Sequence, residues 1–136
     1  MISLDTNILL RSVLDDDDKL SPVARRLIEK NLCHVSLLAI GEMGFVLMSV
    51  HGVKPVAVAK SCRNLMAIPN IECEQEARLL DAMQGVDAGI DWFDALLWAG
   101  TPEGVTLLTF DKTFAKRAST LGWRVEARLP KTRQQK

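Results

Sequence analysis

Four acids stand where a scaffold has little use for charge: Asp5, Glu42, Asp94 and Asp111. Asp5 ends the short apolar run Met1–Leu4, and Asp111 follows the β-branched, apolar run Val105–Thr109. Glu42 is the only charged residue between positions 35 and 50, and Asp94 sits in the apolar stretch 92–99, with Asp91 three residues before it. Singly, each has an ordinary explanation. Asp5 and Asp111 suit helix N-caps, Asp94 suits a first helical turn, and Glu42 suits a half-exposed helix face. As a set they are harder to assign to scaffolding, because most have no Lys or Arg nearby in sequence. Gathered carboxylates repel, and some take up protons unless cations hold them apart. Hard oxygen ligands select Mg²⁺ or Mn²⁺. One or two such ions beside a phosphate activate water and stabilise the leaving oxygen. His34 and His51 fall at element boundaries without ligand spacing and are expected to be structural.

The elements that must position these acids alternate. A strand over 1–4 leads into a helix from Ile8 to Leu14, with Thr6 or Asn7 suited to cap it. The run Asp15–Asp18 favours a loop or a helix start. The next helix, from about Ser21 to Asn31, carries an apolar stripe of Leu20, Val23, Leu27 and Ile28. A strand over 33–37 precedes a helix from Ala39 to Val50, closed by Gly52. Pro55 opens another helix, running to Met66. A strand over 71–73, a helix over 74–84 facing Ala77, Leu80 and Met83 inward, and a helix over 91–99 follow. Val105–Thr109 reads as the clearest strand, Asp111 as the cap of a helix over 112–121, Gly122 as its end, and 123–125 as a last strand. Strands separated by helices imply an α/β fold with a parallel sheet covered on both faces. Chemistry in such sheets gathers beyond the carboxyl ends of the strands. Asp5 and Asp111 would share that edge if their strands were neighbours.

The bulk numbers bound the rest. With 136 residues, 48% hydrophobic and 25% charged, the chain suits one globular domain, here residues 1–126, with a basic tail over 127–136. No targeting segment is visible, and no apolar run approaches the about 18 residues of a membrane span, so a cytoplasmic protein with no membrane partner is expected. Cys33, Cys62 and Cys73 lack CxxC spacing and are expected to be buried free thiols. Lys and Arg total 17, as do Asp and Glu, giving zero net charge. Any nucleic-acid binding must therefore rest on local charge separation.

The pieces Leu4-Asp5-Thr6-Asn7-Ile8-Leu9-Leu10, Glu42, Asp91-Trp92-Phe93-Asp94-Ala95-Leu96-Leu97 and Thr109-Phe110-Asp111-Lys112-Thr113-Phe114 resemble, in kind and order, the PIN-domain family. Within it they resemble the VapC toxins of bacterial VapBC toxin–antitoxin systems. The resemblance implies a three-layer α/β/α sandwich with a central, mainly parallel sheet of about four or five strands. It implies a metal-dependent endoribonuclease cutting single-stranded RNA, such as transfer or ribosomal RNA. Asp5, Glu42, Asp94 and Asp111 would hold one or two Mg²⁺ or Mn²⁺ ions, Asp5 and Asp94 most directly and Glu42 and Asp111 directly or through water. Thr6 or Asn7, Asp91 and Thr109 would support them. A homodimer and a VapB-like antitoxin that blocks the site are the implied partners. Trp92 and Trp98 replace smaller residues of the family, which implies an altered substrate fit or dimer contact. Arg11, Lys112, Lys116 and Arg117 lie near the motifs and are candidates for holding an RNA backbone.

Two other readings compete. A phosphatase of the haloacid-dehalogenase type needs a second Asp two residues after the first, where this chain has Asn7. A catalytically silent PIN-fold module for RNA or protein binding would be signalled by lost acids, and all four are present.

Overall fold

Parallel strand pairing organises the chain, and helical crossovers make it necessary, because parallel neighbours cannot be joined by a tight turn. The computed structural model describes residues 1–131. The chain divides into two compact units, Met1–Ala77 and Arg78–Lys136.

In the first unit the order is β1 (Ile2–Ser3), α1 (Thr6–Leu14), α2 (Leu20–Lys30), β2 (Cys33–Val35), α3 (Leu37–Ser49), α4 (Pro55–Met66) and β3 (Ile71–Cys73). The three strands form one parallel ladder in the order β1-β2-β3, with Ile2 opposite Cys33 and Cys33 opposite Ile71. Leu9, Ile40, Met43, Leu47, Val58 and Cys62 are fully buried around it. The three cysteines are buried and free, as their spacing suggests. Burial pushes the Cys62 thiol up to about 12 and the Cys73 thiol up to about 11, which leaves both unreactive.

Three expectations for this unit need correction. The cap of α1 is Asp5, and Thr6 and Asn7 lie inside the helix. On α2, Leu20 and Val23 are exposed and the small residues Ser21 and Ala24 face inward with Ile28. The helix therefore packs closely on α1 rather than through a large apolar stripe. Val50 lies beyond α3 and is exposed.

The second unit contains most of α5 (Glu76–Asp87), then α6 (Trp92–Ala99), β4 (Leu107–Leu108), α7 (Lys112–Leu121) and β5 (Ala127–Arg128). β4 and β5 pair in parallel, Leu107 opposite Ala127. β4 is far shorter than the run 105–109, because only two residues find partners and Val105 and Thr106 are exposed. The last strand lies at 127–128 rather than 123–125, and residues 132–136 of the expected tail fall outside the described residues. α5 buries Leu79, Ala82, Met83 and Val86, while Ala77 and Leu80 are exposed. Met83 is inward as expected, and Leu79 and Ala82 take the places expected of Ala77 and Leu80. Among the described residues there are thus seven helices and five strands, paired only in parallel, consistent with a three-layer α/β/α fold. The strands fall into a three-stranded and a two-stranded ladder.

Trp98 is the hub of the second unit. Its side chain is fully buried, its indole N–H donates to the Val125 carbonyl (2.8 Å), and its ring stacks on Trp123 with centroids 3.9 Å apart. The Arg78 guanidinium lies 4.1 Å from the Trp98 ring centroid and donates to the carbonyls of Trp98 and Thr101. Trp92 is buried as well, so neither ring is available to a substrate or dimer partner. Trp98→Ala should destabilise the chain by about 3–5 kcal/mol. Denaturant titration followed by the remaining tryptophan fluorescence measures it.

Candidate active site

In the first unit, the acid site begins where β1 stops. Leu4 is buried and its N–H donates to the His34 carbonyl (3.0 Å), which holds the chain against β2 up to the next residue. Asp5 then turns the backbone into α1. Its Oδ1 accepts from the Asn7 N–H (3.0 Å), the ordinary N-cap bond, and the carboxylate stays exposed. The Thr6 hydroxyl donates to Oε2 of Glu42 (3.1 Å), joining the start of α1 to the middle of α3. Glu42 is exposed, flanked by the buried Gly41 and Met43, so the helix packs through its neighbours while its carboxylate stays on the rim. Of Thr6 and Asn7, expected as supporting residues, Thr6 bonds Glu42 through its side chain and Asn7 bonds Asp5 through its backbone N–H.

Glu74 was not anticipated as part of this arrangement. Its N–H donates to the Val35 carbonyl (2.9 Å), and its Oε1 accepts from the Leu37 N–H (3.0 Å) at the start of α3. It shares that helix start with Ser36, whose Oγ accepts from the Ala39 N–H (3.1 Å). Glu74 therefore positions the helix that carries Glu42. The available signal was its place directly after β3, matching that of Asp5 after β1.

The second unit holds the other acids. Asp91 caps α6, its Oδ2 accepting from the N–H groups of Phe93 (3.1 Å) and Asp94 (3.4 Å). Asp94 sits half-buried in the first turn of α6. Burial, and then the nearby charges of Asp91 and Asp111, push its carboxyl above the usual range. Asp111 caps α7: its Oδ1 accepts from the Phe114 N–H (3.0 Å), and its own N–H donates to Thr109 Oγ1 (3.0 Å). Thr109 thus fixes the backbone that carries Asp111. The two capping acids, Asp5 and Asp111, follow strands of different ladders, since β1 pairs with β2 and β4 with β5.

None of Asp5, Glu42, Asp94 and Asp111 has an ion-pair partner among the described residues. Nor, among those residues, does any group of three or more His, Cys, Asp or Glu side chains meet in metal-holding positions. The donor chemistry nevertheless fits a hard divalent cation. Every candidate is a carboxylate without an ion-pair partner among the described residues, and at Asp94 burial, then the charges of Asp91 and Asp111, make ionisation costlier, a cost that a cation would lower.

The PIN domain family model matches residues 2–119. The chain belongs to the PIN-domain family. The match runs from β1 through most of α7 and includes all four acids. No curated protein and no solved structure matches the chain. PIN domains are generally nucleases and generally use divalent metals.

Two outcomes follow. Thr6→Val removes the bond to Glu42 while keeping the side chain's shape, and should cost about 0.5–1.5 kcal/mol in a denaturation titration, or somewhat more because the acceptor is charged. Asp94 binds its proton more tightly folded than unfolded. Stability on this account falls as pH rises from the unfolded value through the raised folded one, and the cost is fully present above it. Asp94→Asn should therefore raise the melting temperature at pH 7, with the gain shrinking as pH drops below the ordinary aspartate range. A gain that is equal at both pH values would remove the electrostatic cause.

Proposed function

We propose that the chain is a divalent-metal-dependent endoribonuclease hydrolysing phosphodiester bonds of single-stranded RNA, and the toxin of a toxin–antitoxin pair. The observation that carries the reading is the crowding of Asp91 and Asp111 on a half-buried Asp94 with no ion-paired cation among the described residues. A fold that half-buries the Asp94 carboxyl beside two further acids, at a cost to its ionisation, suits a cation there.

In this reading Asp5 and Asp94 are direct ligands, and Glu42 and Asp111 bind directly or through water. When bound, one or two Mg²⁺ or Mn²⁺ ions would activate water and neutralise charge on the phosphate oxygens. The chain's own groups hold the ligands in place. The cap bonds use one oxygen each of Asp5 and Asp111 and leave the other free. The Thr6 hydroxyl restricts the Glu42 rotamer, and Thr109 restrains the turn before Asp111. Asp91, which caps α6, fixes the backbone at Asp94.

The toxin role rests on the likeness of the Asp5, Asp94 and Asp111 motifs to VapC proteins. It brings with it a VapB-like antitoxin, a homodimer and a cytoplasmic location. Among the described residues no helix is long and apolar enough to cross a membrane.

The test is incubation of the purified chain with single-stranded and transfer RNA in Mg²⁺, in Mn²⁺, in chelator, and as Asp5→Asn with metal. Cleavage should require metal and fall on the order of 100-fold or more in the variant. Cleavage that persists in chelator or in the variant contradicts the assignment. Absence of cleavage in every arm favours a silent RNA- or protein-binding module.

A further inference from the structure

An open groove of about 500 Å³ lies along α7, lined by Ala88, Lys112, Thr113, Lys116, Arg117 and Thr120 with Leu121 at its end. Three of these side chains are cationic, and none of the three pairs with a carboxylate among the described residues. In a chain of zero net charge, that is a local separation of charge.

Arg117 is held in place. Its Nη1 donates to the Gly89 carbonyl (2.6 Å). Gly89 has φ +96°, a backbone conformation that favours glycine, and a Cβ there would stand 2.8 Å from the same nitrogen and push the guanidinium aside. The guanidinium is thereby oriented while most of its N–H donors stay available. Lys112 and Lys116 lie four residues apart on one helix face, about 6 Å along the axis, a spacing on the order of one nucleotide step. The residue before the Asp111 cap is Phe110, whose side chain is 89% exposed. Phe110 thus leaves an aromatic ring in water two residues before Lys112, and an exposed ring together with a run of cations is the combination that binds single strands, because unpaired bases stack on the ring while cations follow the backbone.

We propose that Phe110, Lys112, Lys116 and Arg117 form a subsite for single-stranded RNA, with a base stacked on Phe110 and consecutive phosphates along α7. The subsite deepens the nuclease reading, since it starts one residue from Asp111, but its test does not depend on cleavage.

Binding of a fluorescently labelled single-stranded RNA to the full chain is measured by anisotropy in chelator, across a salt series. Each phosphate contact to a single strand contributes about 0.7 to the slope of log K against log salt. The triple variant Lys112→Gln, Lys116→Gln, Arg117→Gln should flatten the slope by about 2. Phe110→Ala should weaken binding by between about 5- and 100-fold with the slope unchanged. The double variant Lys112→Gln, Lys116→Gln leaves the Arg117–Gly89 bond intact and should flatten the slope by about 1.4, with an unchanged melting temperature as its folding control. Arg26→Gln on α2 should change nothing.

Wild-type slope and affinity in the triple and Phe110 variants would overturn the proposal, and the groove would then belong to an acidic protein partner. If those variants still cleave RNA normally, the subsite falls and the nuclease reading stands. If the chain binds RNA with the predicted slopes but cleaves nothing, the subsite stands and the nuclease reading falls.

Discussion

Backbone N–H groups at helix starts hold three acids of this protein. Asp5, Asp91 and Asp111 each accept from the first turn of the helix they precede, and Asp94 sits within the turn that Asp91 caps. A chain that passes from strand to helix must satisfy the orphan donors of that first turn. Asp does so as well as any residue, at about 1 kcal/mol relative to Ala. The same bonds fix where one carboxylate oxygen points and do not engage the other. In each unit, then, the proposed ligands are held by ordinary capping interactions, and in the proposed reading capping is not their only use.

The complete explanation needs the electrostatics. A cap is satisfied by one carboxylate with no need of a second nearby. Burial, and then the two further acids near it, disfavour ionisation of Asp94, and no basic side chain pairs with any of the three among the described residues. Folding alone does not require that arrangement. The Thr6–Glu42 bond adds the same element in the first unit, a polar tie that orients an exposed carboxylate. Three cations without an ion-pair partner among the described residues lie on α7, the helix that Asp111 caps.

Local chemistry was legible in the sequence, and partnership was not. The Asp111 cap, the body of α7 and the Gly122 end were readable because each depends on residues within one turn. The crossover order was readable because helices must separate parallel strands. The extent of β4 was not, because the β-branched residues of 105–109 suit a pleated strand whether or not a neighbour pairs with them, and only two find one. The inward face of α2 was missed because close packing on α1 selects small residues there, and hydrophobicity does not report that. Thr6–Glu42 and Glu74–Leu37 span 36 and 37 residues, beyond any local signal. The placement of Asp5 and Asp111 on separate ladders was hidden for the same reason.

Asn caps a helix about as well as Asp but carries no charge, which separates the two uses of these acids. The decisive measurement is the rate of Mg²⁺-dependent cleavage of single-stranded RNA by an Asp111→Asn chain, taken with its denaturation midpoint. A midpoint close to that of the parent chain with cleavage lost is the predicted result. Cleavage at the parent rate would mean that Asp111 is a cap and nothing more, and would contradict the account.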